Sequence, residues 1–173
     1  MVDLEPDCEN CAALCCVALA FDRSEMFAFD KAAGEACRHL ERGGRCSVHA
    51  QLAKKGFSGC VAYQCDGAGQ RVVQEFFKGR SWQEDPALLP PMLAAFSDLR
   101  AVHKQLVLVR AAEKLALSEP SRKKLALIDQ ALAPEDGWTA ESLSRFVRGS
   151  RLTDIQNFWR SLADELDANR SVD

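Results

Sequence analysis

The order of apolar and polar positions changes character about halfway along the chain. From Pro86 onward, Met92, Phe96, Leu99, Val102, Leu106, Val109 and Leu115 recur at helical spacing, which marks one buried face. The pattern predicts a long helix over about 87–117, with Pro90-Pro91 starting or kinking it. Ser118 precedes Glu119-Pro120, an N-cap followed by a proline in the first turn. Leu125, Ile128 and Leu132 then give a second helix its apolar face, to about residue 133. Pro134-Glu135-Asp136-Gly137 reads as a turn. Thr139 is placed to cap a third helix carrying Leu143, Phe146 and Val147, which Gly149 ends. Leu152, Ile155, Trp159, Leu162 and Leu166 outline a fourth over about 151–168. Trp138, Phe146, Phe158 and Trp159 are expected in the core.

The first 82 residues show no such long periodicity. Short helical pieces fit about 11–19 and 47–55. Gly43-Gly44 and Asp66-Gly67-Ala68-Gly69 are turn signals, and Val72-Val73-Gln74-Glu75-Phe76-Phe77 reads as a short strand or a helix start. The expected fold is mostly α: a small irregular cysteine-rich module over 1–82, followed by a helical region of about four helices over 83–173 that packs on it or on a partner.

Composition changes this picture little. Apolar residues at 47% and charged residues at 27% are ordinary for a globular protein, and 173 residues suffice to bury a core. A net charge of −3 gives no electrostatic reason to expect nucleic acid or an anionic membrane as partner. Arg122-Lys123-Lys124, the one tight basic run, reads as a solvated helix face. Met1-Val2-Asp3-Leu4-Glu5 is acidic where a secretory signal is basic. The apolar stretch Ala12 to Phe21 falls well short of the roughly 20 residues a bilayer span needs. A cytoplasmic location is expected.

Cysteine is the exception. All eight, Cys8, Cys11, Cys15, Cys16, Cys37, Cys46, Cys60 and Cys65, fall in the first 65 residues. Cytosolic chains have little use for disulfides, and thiols that merely fill a core would scatter. Cys8-Glu9-Asn10-Cys11 places two sulfurs two residues apart, so that one turn presents both to one metal while its N–H groups bond the thiolates. Cys15 and Cys16 are adjacent and cannot easily serve as neighbouring corners of one small chelate ring; one can ligate this site while the other reaches a second metal or packs inside. Cys37-Arg38-His39-Leu40, Cys46-Ser47-Val48-His49, Cys60 and Cys65 follow. Thiolates select zinc, Cu(I) or iron–sulfur clusters over hard cations. Eight sulfurs suffice for two tetrahedral sites, or for one cluster and a mononuclear site. His39 and His49 are alternative ligands, and His103 is expected at a core edge or on the surface.

These residues resemble a known family. Cys8-x2-Cys11-x3-Cys15-Cys16, then Cys37-Arg-His-Leu, Cys46-Ser-Val-His and Cys60, look like the bacterial YkgJ-type CxxCxxCC zinc- or iron-chelating domain. The region from Cys37 through Gly69, with Gly59-Cys60-Val-Ala-Tyr-Gln-Cys65-Asp-Gly-Ala-Gly-Gln70, is similar to the cysteine-rich amino-terminal module of some bacterial pentapeptide-repeat proteins, although the five-residue repeat is absent and a helical region takes its place. The resemblance spans the cysteine-rich half only. One extra residue separates Cys11 from Cys15, and Lys54-Lys55-Gly56-Phe57-Ser58-Gly59 replaces the Arg-Pro that usually precedes the late cysteine. It implies chelation, and it establishes no reaction.

The function expected is metal binding: a cysteine cluster holding zinc or iron, the latter including a 4Fe–4S cluster, with a helical region that binds a protein partner or a second copy. The alternative is an iron–sulfur redox or radical-type enzyme component, for which Asp66, Gln70, Arg71 and Lys78 beside the glycine turn are the polar candidates; turn and surface roles are their simpler explanation. Other chemistries lack their motifs: Gly67-Ala68-Gly69 is not a dinucleotide fingerprint, and neither a phosphate-binding loop nor His-Glu-x-x-His occurs.

Overall fold

In the computed structural model, which describes residues 2–170, the chain is mostly helical, with seven α-helices and no strand among the described residues. Three helices are short and lie in the cysteine-rich half: α1 (Leu14–Ala18), α2 (Ser58–Ala62) and α3 (Ala68–Arg71). A π-helical stretch, Val72–Phe76, continues α3, so the segment left between strand and helix is helical. The 47–55 region forms two 3-10 turns, His49–Gln51 and Ala53–Lys55, rather than one helix. The long helices are α4 (Leu89–Ala112), α5 (Glu119–Leu132), α6 (Ala140–Arg148) and α7 (Arg151–Arg170), the four that the periodicity outlines.

The chain divides into two compact units, and the division falls inside α4: one unit is Asp3–Arg100, the other runs from Ala101 onward and includes Val2. The unit boundary thus lies beyond the composition shift at residue 82. In the first unit, α4 supplies Met92, Phe96 and Leu99 to the core, all of them buried. Phe96 lies against Gly69, where a methyl group would stand 3.8 Å from its ring, and Arg100 sits 5.3 Å from the ring centre of Tyr63.

The unit from Ala101 onward is an ordinary helical core. Val102, Leu106 and Val109 of α4 are fully buried, as are Leu132 of α5 and Leu143 of α6. Leu125, Ile128, Ile155, Phe158 and Leu162 join them. Leu115 does not continue the stripe: α4 ends at Ala112, the Ser118 cap follows, and Leu115 is left exposed. The caps are those the sequence marks. Ser118 Oγ accepts from the Ser121 N–H, and Thr139 with Ser142 forms a reciprocal capping box. Between elements, Arg110 pairs with Asp129 at 2.8 Å, Trp159 Nε1 donates to Gln105 at 2.7 Å, and Glu165 accepts from the Ser118 N–H and the Ser121 hydroxyl. His103 is fully buried, where an edge or surface position was expected; it lies on the same helix face as Leu99 and Leu106, and that face is wholly covered.

The first unit has fewer apolar residues in regular register and uses other means. Phe21 stacks on Phe27 at 4.3 Å, Phe29 tilts against Phe21, and Phe29, His39 and Phe57 form an edge-on cluster. Phe21 and Lys31 pair as an isolated antiparallel bridge, and so do Leu40 and Cys46. Lys31 is buried, with its ammonium donating to the carbonyls of Val17, Leu19 and Ala32, so its three N–H groups are matched in number. Gly59 is close-packed: a Cβ there would lie 2.2 Å from the Phe27 ring.

Candidate metal centre

Every cysteine lies in the unit Asp3–Arg100. All are free thiols; Cys11 is buried, Cys8 and Cys60 are exposed, and the other five are half-buried. The sequence order gives little hint of the spatial grouping, which local structure determines.

One group forms where residues 64–74 fold against the amino-terminal segment. The Gln70 side chain clamps the two together, accepting from the Asp7 N–H at 3.2 Å and donating to the Glu5 carbonyl at 2.7 Å. Gln74 donates to the Asn10 carbonyl at 3.3 Å. Gly69 packs so closely that a Cβ would come within 3.0 Å of Cys11 Cβ and 3.8 Å of its sulfur. Gly67, at φ +75°, turns the chain beside Asp3. These contacts carry Cys65 to Cys8, Cys11 and Cys15: Cys8 and Cys11 each feel Cys65 electrostatically, and Cys15 feels both Cys11 and Cys65.

The approach to α1 is unusual. Ala12 and Ala13 both adopt left-handed backbone conformations, with φ of 48° and 55°, which costs an L-residue roughly 1–2 kcal/mol. Across this reversal the Leu14 N–H donates to the Cys11 carbonyl at 3.4 Å, and the Cys11 thiol donates to the Cys8 carbonyl at 3.4 Å. Trp82 steadies the reversal by donating to the Ala12 carbonyl at 2.8 Å. The Tyr63 hydroxyl is buried with no hydrogen-bond partner among the described residues, within electrostatic reach of Cys15 and Cys65. It is a donor without an acceptor among the described residues.

The second group forms around the aromatic cluster. The Cys37 N–H donates to the Cys16 carbonyl at 3.0 Å. The Leu40–Cys46 bridge folds Cys46 back on the Cys37 loop, and the His49 N–H donates to the Cys46 carbonyl at 3.1 Å. His39 against Phe57, at 5.2 Å between ring centres, brings the start of α2, and with it Cys60, to the same place. Cys60 feels Cys16, Cys37 and Cys46. The buried Lys31 ammonium feels Cys37 and Cys16.

The two groups meet at Cys15 and Cys16. The adjacent Cys15 and Cys16 thiols act on each other, so that Cys15 is raised strongly and Cys16 is lowered, the latter aided by Lys31. Burial pushes Cys11 and Cys60 up to about 11 and raises Cys8 and Cys46; burial disfavours a thiolate that has no compensating cation. Among the described residues, no three His, Cys, Asp or Glu side chains converge at metal-ligating distance. The cysteines are chemically uniform, all eight of them free thiols, and the buried Tyr63 hydroxyl in the same unit has no hydrogen-bond partner among the described residues. Thiols are the ligand type that thiophilic metals, unlike hard cations, prefer.

The remaining candidates have structural roles. Gln70 is the clamp described above. Arg71 pairs with Glu75 at 2.7 Å, Lys78 donates to the Glu75 carbonyl, and Asp66 occupies a left-handed turn at φ 52°. His39 belongs to the ring cluster and His49 is exposed. Lys31 was not foreseen in the sequence; a lone lysine among polar residues carries no signal that three carbonyls will enclose it.

The chain is similar to Uncharacterized protein YybG of Bacillus subtilis (strain 168), with 40% identity over 123 residues. The match covers 71% of this chain and 44% of that protein, so the chain spans less than half of its relative's length. No family model matches the chain. No solved structure matches it. Among the described residues, no helix is long and apolar enough to cross a membrane.

Proposed function

We propose that the cysteine-rich unit is a thiolate-ligated metal-binding module for zinc or iron, the latter including an iron–sulfur cluster, of the YkgJ type. The observation that carries the reading is the concentration of all eight cysteines, every one a free thiol, in one compact unit. Free thiols throughout also suit a reducing, cytoplasmic compartment. The unit from Ala101 onward serves association with a protein partner or a second copy, a reading supported by exposed Val107, Leu108, Leu115 and Leu127.

The test is anaerobic purification of the full chain followed by elemental analysis and visible spectroscopy. Stoichiometric zinc in a colourless protein, or iron in a brown one that dithionite bleaches, is the expected result. A chain that carries and takes up neither metal would end the proposal.

A further inference from the structure

We propose that Trp82 and Gln83 form a clasp that holds two cysteine-bearing segments, residues 8–16 and 37–46, against each other, so that releasing either half of it loosens both. The clasp does not depend on the metal-binding reading: backbone groups, an indole and an amide make every contact in it.

The clasp is a single turn tied by Ser81. The Gln83 N–H donates to the Ser81 hydroxyl at 3.2 Å, and the Glu84 and Asp85 N–H groups both donate to the Ser81 carbonyl at 3.1 Å. Two neighbouring side chains leave this turn for different segments. Trp82 Nε1 donates at 2.8 Å to the carbonyl of Ala12, 70 positions away. Gln83 makes a reciprocal pair with the tip of the loop that the Leu40–Cys46 bridge closes. Its Oε1 accepts from the Gly43 N–H at 2.9 Å, and its Nε2 donates to the Glu41 carbonyl at 3.3 Å. Direct packing of the tip on Ala12 closes the third side: a Cβ at Gly44 would stand 3.7 Å from Gln83 Oε1 and 3.9 Å from Ala12 Cα. All three segments belong to the unit Asp3–Arg100.

Neither cysteine-bearing segment sustains its own shape. Ala12 and Ala13 are successive residues at φ 48° and 55°, a conformation that L side chains disfavour. The loop tip carries two glycines at φ 101° and 82°, the residue type with the most freedom to lose on ordering, and its closing bridge is isolated rather than part of a ladder. A tie from outside offsets both costs. Because Trp82 and Gln83 leave one stiff turn, making either contact presents the other at high effective concentration. Ties on two separate loops would have no such coupling. The Gln83 bonds are exposed and compete with water, so the clasp can be released.

Hydrogen exchange of the full chain as purified, read by mass spectrometry, tests the coupling. Trp82→Phe keeps a ring and removes the N–H that reaches Ala12; Gln83→Ala removes both bonds to the loop tip. Gln83→Ala is expected to speed exchange of the amides of residues 13–16, which lie outside its own hydrogen bonds, by about two- to tenfold, the effect of one net hydrogen bond. Trp82→Phe is expected to do the same over residues 41–47, and exchange in α5 should be unchanged in both variants. Faster exchange confined to the segment that each side chain bonds overturns the clasp, and so does the absence of any change. If Trp82→Phe unfolds the whole unit, the response of residues 13–16 to Gln83→Ala decides the matter by itself.

Discussion

The two units reach order by different physical routes. The unit from Ala101 onward is held by what its sequence repeats: apolar side chains every three or four residues, side-chain caps at Ser118 and Thr139, and a few polar ties such as Arg110 to Asp129. The unit Asp3–Arg100 is held by single contacts that do not repeat: a buried lysine on three carbonyls, a glutamine clamp, stacked rings, and two alanines in left-handed conformations. Its three short helices span four or five residues each, far below the length at which helix propensity sustains itself, about 12–15 residues. A repeating design tolerates the loss of any one part. A design of single contacts needs something to tie them, and sulfur–metal bonds are the candidate.

The contrast is open to direct challenge, and the largest effect is expected at Cys11. Cys11→Ser alters the one cysteine of the eight that is buried, and structural zinc contributes about 10–16 kcal/mol to folding in small modules. Loss of metal with collapse of amide-hydrogen protection over residues 8–65 is the expected outcome, with protection in α5 and α7 kept. Undiminished protection around Cys11, or equal loss in α5, would erase the distinction between the units.

A smaller effect is expected in the repeating core. Leu132 is fully buried at the end of α5, and Leu132→Ala should cost about 2–5 kcal/mol through lost burial and the cavity left behind. Urea unfolding followed by the helical signal measures this. A cost below about 1 kcal/mol would mean that the core recloses around the gap, which close-packed interiors rarely do.

The smallest effect concerns acid. Hydrogen bonds from Ser121 and the Ser118 N–H hold the Glu165 carboxyl below its ordinary value. Its folded pKa is depressed, so its contribution is complete above the ordinary glutamate range and disappears as pH falls through the lowered value. Melting temperature against pH should show a slightly shallower acid limb in Glu165→Gln than in the parent. Superimposable limbs would show that this exposed contact adds nothing.

The same contrast explains what could be read from the sequence. The four long helices, the caps at Ser118 and Thr139 and the stop at Gly149 follow from periodicity and local hydrogen bonding, which neighbouring residues carry by themselves. Leu115 fell off its stripe because the helix ended one turn early, a boundary that depends on the following cap. In the cysteine-rich unit the residues that matter could be named, but not their grouping. The Cys65 segment docks on the amino-terminal one through Gln70, which bonds residues more than sixty positions away, and no local pattern encodes that. Lys31 escaped notice for the same reason, since its partners at Val17 and Leu19 are backbone atoms that any residue would supply.

Gly59 illustrates what such a construction implies for sequence variation. Its backbone torsions are ordinary, so torsion angles alone would admit any residue. Yet the place a side chain would begin is already filled by the Phe27 ring, itself stacked on Phe21. Substitution at 59 therefore depends on prior change at 27, and change at 27 strips Phe21 of its companion. The two sites can drift only together, and Cys60, next in the chain, is fixed in place by neighbours that are not free to vary alone.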